Sequence, residues 1–248
     1  MKLPGFLRKK NQEPVCSAVI VAAGSSERMG TDKLMLELGG RPVLAQTVSA
    51  FEGCHSVDEI VIVTRSELLE KTAELCKQYG FEKVSRIIAG GATRTESALA
   101  GVCAVKSSAK LIAIHDGARP FATRALITRA VEAASKNLSA IPVLPSTDTL
   151  KTVNEKGYII ATVDRESTVR VQTPQVFEAM LIKGALTKAV KDGKSYTDDS
   201  AAVSYMGAKL FTVEGDEENI KLTAPKDLLF AEAIYNDRRE NYADRSRL

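Results

Sequence analysis

Short apolar runs alternating with amphipathic helical stretches constrain this chain more than any other feature. Ser17–Ala23, Glu59–Thr64, Val84–Ala89, Lys110–His115 and Ala140–Val143 read as strands. Between them lie four helical patterns. The first is Pro42–Phe51, with proline at its start. The second is capped by Ser66 and runs through Tyr79 to a closing Gly80. The third opens on a Thr93–Glu96 capping box and reaches about Val105. The fourth is capped by Thr123 and runs to about Asn137. This βαβαβαβαβ order, with continuous apolar strands, predicts an α/β fold. Its mostly parallel, twisted sheet carries helices on both faces. Ligands of such sheets sit at the carboxyl ends of strands, near a switch in strand order.

The second half reads differently. Asp148–Val171 holds two β-prone segments around the polar turn Asn154-Glu155-Lys156-Gly157, which predicts a β-hairpin. Apolar residues at its tip would make it an arm for a partner, at about residues 147–168. Thr173-Pro174 is expected to open a helix through about Val190. Thr197 is expected to cap a short helix with Asp198 and Asp199 in its first turn, closed by Gly207. Lys209–Glu214 reads as a strand, and Pro225 begins a last helix.

A length of 248 residues suits one large α/β domain, expected over residues 15–240. A net charge of +3 points neither to a nucleic-acid binder nor to a membrane-surface protein, so any phosphate site must be a local cluster of basic groups. No apolar run approaches the ~18 residues that span a bilayer. Residues 1–14 are basic, lack the apolar core of a signal peptide and read as a loose tail. Cys16, Cys54, Cys76 and Cys103 show no metal or disulfide spacing and read as reduced thiols of a cytoplasmic protein.

The chemistry concentrates at the strand ends. Val19–Lys33 passes from an apolar run into small residues (Ala22, Ala23, Gly24) and then a loop carrying Arg28 and Lys33. Small residues let a polyphosphate approach backbone N–H groups, and the two cations would meet charge developing at phosphorus. Leu34 after Lys33 excludes a Walker loop, and Gly24 and Gly30 alone do not make a dinucleotide fingerprint. Gly90-Gly91, before the helix that carries Ser97, would let a flat base lie against main chain. His115-Asp116-Gly117-Ala118-Arg119-Pro120 places a carboxylate at a strand end beside that loop. Asp116 there suits Mg²⁺, which takes one or two carboxylates and completes its shell with phosphate oxygens and water. His115 reads as a structural imidazole, because a phosphate nucleophile is already largely ionised at neutral pH and needs no strong base.

Taken in order, these segments resemble the 2-C-methyl-D-erythritol 4-phosphate cytidylyltransferase family. The match runs over about residues 15–235: Ala22-Ala23-Gly24 with Arg28 and Lys33; Gly90-Gly91 with Arg94 and Ser97; His115 to Pro120; Asp148-Thr149 with Lys151; Asp164-Arg165; Gln172-Thr173-Pro174-Gln175; Thr197-Asp198; and Asn219 to Thr223. The resemblance implies a Rossmann-like fold of the nucleotide-diphospho-sugar transferase type. It also implies transfer of CMP from CTP to methylerythritol phosphate with release of pyrophosphate, a divalent cation (Mg²⁺) and a homodimer. By position, Arg28, Lys33 and Lys221 would be catalytic. Ala22, Ala23, Gly24, Gly90, Gly91, Arg94, Ser97, Asp116 and Gly117 would surround the nucleotide, with Asp116 also the metal ligand. Arg119, Thr149, Arg165, Thr173 and Thr197 would bind the sugar phosphate, Arg165 by reaching across the dimer.

Three positions depart from the family pattern: Ala92 stands where an aspartate is usual, Leu34 where glutamine is common, and Val21 where proline is frequent. A ribitol-5-phosphate cytidylyltransferase has the same fold and chemistry. Arg165 and the Asp148-Thr149 pair favour methylerythritol phosphate. A non-catalytic nucleotide-binding regulator would have lost Arg28, Lys33, Asp116 or Lys221, and all four are present.

Overall fold

A computed structural model describes residues 15–24 and 33–245. The loop carrying Arg28 and the tail of residues 1–14 lie outside the described residues. The chain follows the order β1 (Cys16–Ala22), β2 (Glu37–Leu38), β3 (Arg41–Pro42), α1 (Val43–Glu52), β4 (Glu59–Thr64), α2 (Leu69–Gln78), β5 (Val84–Ala89), α3 (Arg94–Ala104), β6 (Leu111–Asp116) and α4 (Arg124–Asn137). There follow β7 (Ser139–Pro145), β8 (Lys151–Val153), β9 (Ile159–Thr162), β10 (Val169–Val171), β11 (Gln175–Glu178), α5 (Ala179–Lys191), α6 (Asp199–Tyr205), β12 (Thr212–Glu214) and α7 (Pro225–Arg245).

Among the described residues the main sheet has eight strands in the order β10-β7-β11-β6-β1-β4-β5, with β12 paired to β7. β5, β4, β1 and β6 run parallel. The chain leaves β1 for β4 on one side and later returns to β6 on the other, so the switch point lies between β1 and β6. Their carboxyl ends are Ala22 and Asp116.

Strand periodicity divides the core. Ala18, Ile20 and Ala22 of β1 face one apolar cluster with α1 and α4, whereas Val19 faces the other with α3 and α5. Side chains that alternate in this way bury both faces, which explains the near-continuous apolar strands. Gly101 lets α3 lie directly on the sheet: a Cβ there would sit 2.3 Å from a Val19 methyl and 2.8 Å from one of Val63.

Four expectations require correction. Gln175–Glu178 is not the first turn of a helix but the strand β11, antiparallel to both β6 and β7. The helix starts at Ala179, where the Glu178 carboxylate accepts from the Leu181 N–H. Ser66 does not cap α2; it begins a 3-10 turn, and Leu68 precedes α2 without a side-chain cap. Asp198, not Thr197, caps α6 by accepting from the Ala201 N–H. Strand β12 is shorter than read: its paired residues begin at Thr212, and of Lys209–Phe211 only the Phe211 carbonyl bonds the β7 main chain, accepting from the Ile141 N–H.

The hairpin is present as β8 and β9, an antiparallel pair separate from the main sheet. Asn154 closes its turn by accepting from the Lys156 and Tyr158 N–H groups. Tyr158, Ile159 and Ile160 are each more than 60% exposed.

Candidate active site

The β1 end, the α3 start and the Lys221 segment enclose a cleft of about 700 Å³. Ala22, Ala23 and Gly24 line one wall, Gly91 and Ser97 another, and Lys33, Asp116 and Lys221 also border it. The capping box forms as expected: the Glu96 N–H donates to Thr93 Oγ1, and the Thr93 N–H donates to Glu96 Oε2. Ser97 Oγ accepts from the Gly91 N–H at 3.1 Å and donates to the Thr93 carbonyl at 2.9 Å. The glycine pair is required first by its own loop. A Cβ on Gly90 would stand 2.6 Å from both the Ala23 Cβ and Ser97 Oγ, and one on Gly91 would stand 2.4 Å from the Glu96 Cβ. Gly117 lies similarly close behind the β1 end, 3.2 Å from the Ala22 Cβ if it carried one.

Asp116 is the electrostatic centre. Lys221 Nζ lies 2.9 Å from its Oδ2, Arg119 Nε 3.6 Å from the same oxygen, and Arg94 Nη2 3.3 Å from Oδ1. Burial works to raise the Asp116 pKa, but the charges of Lys221, Arg94 and Arg119 outweigh it and hold the carboxyl well below the usual carboxylate range. Asp116 is therefore ionised throughout the physiological range.

His115 is fully buried beneath this cluster. Its Nε2 lies 3.1 Å from the Arg119 carbonyl, so that nitrogen carries the proton and donates. Nδ1 then accepts from Thr173 Oγ1 at 3.0 Å, while the same hydroxyl accepts from the Asp116 N–H. Burial pushes the imidazole pKa down to about 4. The neutral ring braces the strand end and offers no proton to the cleft.

A second basin of about 360 Å³ adjoins the first and is bordered by Arg119, Thr173 and Thr197. Arg94, Asp116 and Lys221 border both cavities. The structure thus groups most expected site residues at the β1–β6 switch point. Two are elsewhere: Arg165 donates to the Ser146 carbonyl at 3.0 Å beside an open hollow at the base of the arm, and Thr149 is exposed on the arm. Arg94 is not free to serve the nucleotide alone, because its guanidinium forms a bidentate pair with Asp199 at 2.8 and 3.0 Å. Asp199 lies in the first turn of α6 as expected, but its pairing with Arg94 carries no signal in the sequence. Two adjacent aspartates give no sign of which one caps and which one turns inward.

One carboxylate on a phosphate-sized cleft fits a Mg²⁺ whose remaining ligands are phosphate oxygens and water. Both Asp116 oxygens face cations, so a metal here would share them with Lys221 and Arg94. Among the described residues no group of three or more His, Cys, Asp or Glu side chains could hold a metal by itself.

A doubly wound sheet with a two-chambered, cation-rich cleft at its switch point offers a binding place for phosphorylated ligands. The family model for 2-C-methyl-D-erythritol 4-phosphate cytidylyltransferase matches residues 16–237. Enzymes of that name from Halalkalibacterium halodurans and Caldanaerobacter subterraneus are each 42% identical to this chain, covering 88% and 87% of it and 96% of their own lengths. The crystal structure of 4-diphosphocytidyl-2C-methyl-D-erythritol synthase from Anaerococcus prevotii matches at a TM-score of 0.81 with 31% identity, over 91% of this chain and 100% of that one. The Thermus thermophilus 2-C-methyl-D-erythritol 4-phosphate cytidylyltransferase matches at 0.71 with 32% identity, over 90% and 99%. The chain belongs to the 2-C-methyl-D-erythritol 4-phosphate cytidylyltransferase family.

Proposed function

We propose that this chain transfers the cytidylyl group of CTP to 2-C-methyl-D-erythritol 4-phosphate. A phosphate oxygen of the sugar attacks the α-phosphorus in line. The bond to the β-phosphate breaks, and pyrophosphate leaves. The observation that carries this reading is the pair of adjoining cavities sharing Arg94, Asp116 and Lys221. Two phosphorylated reactants placed there would meet at a common cationic wall.

In this reading Ala22, Ala23, Gly24, Gly90, Gly91, Ser97 and Gly117 shape the nucleotide side. Lys33, Lys221 and Arg28 oppose the charge that builds on the phosphorus centre and the leaving group. Arg119, Thr173 and Thr197 take the sugar phosphate. Thr173 does so while its hydroxyl bonds His115. Arg94 supports Asp116, to which it is tied. A Mg²⁺ held by Asp116 would neutralise phosphate charge when bound. Orientation and fixed charge account for the acceleration, with no covalent intermediate on the protein.

The exposed apolar tip of the arm suits burial against a second copy, which would carry Arg165 and Thr149 toward that copy's second basin. We place the enzyme in the cytoplasm as a single catalytic domain over residues 15–240. Its four cysteines are free, and no described helix is long and apolar enough to cross a membrane.

The test is pyrophosphate release with CTP and, in parallel, methylerythritol phosphate or ribitol 5-phosphate. Turnover should require the first sugar phosphate. Equal or greater turnover with the second would overturn the substrate assignment.

A further inference from the structure

The segment 215–223 carries Lys221, yet beyond Glu214 it belongs to no strand or helix. It is held by side chains. Gln172 grips the Asp216 peptide at both ends: its Nε2 donates to the Asp216 carbonyl at 2.8 Å, and its Oε1 accepts from the Asp216 N–H at 3.0 Å. Asn219 is wholly buried and sits where three parts of the site meet. Its Nδ2 donates to the Thr173 carbonyl at 2.8 Å. Its own carbonyl accepts from Arg119 Nη1 at 2.6 Å and, more weakly, from Gln172 Nε2 at 3.4 Å.

The Asn219 Oδ1 has no hydrogen-bond partner among the described residues. A buried acceptor without a partner costs stability. An amide kept there despite that cost is explained by its donor end, which fixes Thr173. Lys221 has restraints of its own: the Leu222 N–H donates to the Ala118 carbonyl at 2.9 Å, and Lys221 pairs with Asp116. Arg119 and Thr173 border the second basin and not the nucleotide cleft.

We infer that Asn219 is a positioning residue for the sugar-phosphate side of the site, setting Arg119 through its carbonyl and Thr173 through its amide, with Gln172 as its support. This rests on the assignment of the second basin to the sugar phosphate. It extends that assignment to a residue that touches neither reactant.

The experiment is steady-state kinetics on Asn219→Ser, varying each substrate in turn, beside thermal melting. KM for methylerythritol phosphate should rise roughly tenfold, the worth of about one hydrogen bond, while KM for CTP stays within about twofold. A merely structural role would lower the melting temperature and leave the ratio of the two KM values unchanged; that result in a folded variant overturns the inference, as does an equal rise in both. Should Asn219→Ser not fold, Gln172→Met decides. It keeps the length of the side chain, adds no charge and removes the bonds to Asp216 and Asn219, and it should skew the same ratio in the same direction. A wild-type enzyme inactive with these two substrates would instead overturn the functional reading itself.

Discussion

The switch-point cluster and the hairpin arm are built on opposite terms. Around a buried Asp116, half-buried side chains from α3 and the Lys221 segment are cross-linked to it, each by at least one charged contact. In the arm, β8 and β9 pair only with each other, and every residue of both strands is exposed. A two-stranded hairpin alone is marginally stable in water. One region carries its geometry within the chain, whereas the other pairs only with itself. Charge chemistry requires the first kind of order, and the proposed recognition of a second copy would tolerate the second.

The contrast breaks if the cluster proves soft. Arg94→Ala leaves Asp199 buried without its counter-ion, and should cost about 3–5 kcal/mol of stability by chemical denaturation. A loss within error of zero would mean that the pair is not braced at all. Lys221→Ala should leave the fold standing but slow pyrophosphate release on the order of 10²–10³-fold, and Lys33→Ala likewise. Near-normal turnover in either would remove that lysine from the chemistry.

His115 sharpens the comparison through pH. Its folded pKa, about 4, lies below the ordinary histidine value. Protonation therefore favours the unfolded chain. The stability it contributes is complete above the unfolded pKa near 6.5 and is lost as pH falls toward 4, by about 3 kcal/mol in all. Denaturation midpoints across that window should fall in the wild type and fall less in His115→Gln. Asp116, whose pKa is also lowered, has a dependence of the same sign, but its contribution is complete above the ordinary carboxylate value and is lost only as pH falls below it, a window beneath that of His115.

The smallest expected change belongs to the arm. Ile160→Asp should alter the stability of an isolated chain by no more than about 0.5 kcal/mol, because the side chain is exposed. Sedimentation should nevertheless show dimers of the wild type giving way to monomers. A wild type that is monomeric at micromolar concentration with full activity would end the arm argument.

Much of the first half was legible because its apolar runs are strand-length and its helix starts carry caps, as Thr93 and Thr123 do. The second half was harder. Gln175–Glu178 is four residues long and runs straight into α5, so its pattern merges with the helix that follows. Thr173-Pro174 then imitates a helix start. Only the gap between β6 and β7, visible in three dimensions, demands a strand there. In the site, Lys33 and Asp116 stood out by chemistry and position, whereas Lys221 stood out only through the family resemblance. Asp199 and Asn219 did not, since an acid near a helix start and an amide in a loop are ordinary sequence features. Their importance comes from partners 105 and 46 residues away.

Gly101 has no functional group, yet α3 touches bare β1 and β4 side chains through it, with no methyl between. Any larger residue at 101 would work as a wedge two turns below Arg94 and one below Ser97, tilting the helix and with it one rim of the cleft. Hydrogen, the smallest side chain available, thus acts here as a spacer gauge, and catalytic alignment becomes hostage to the thickness of a single contact far beneath the substrates.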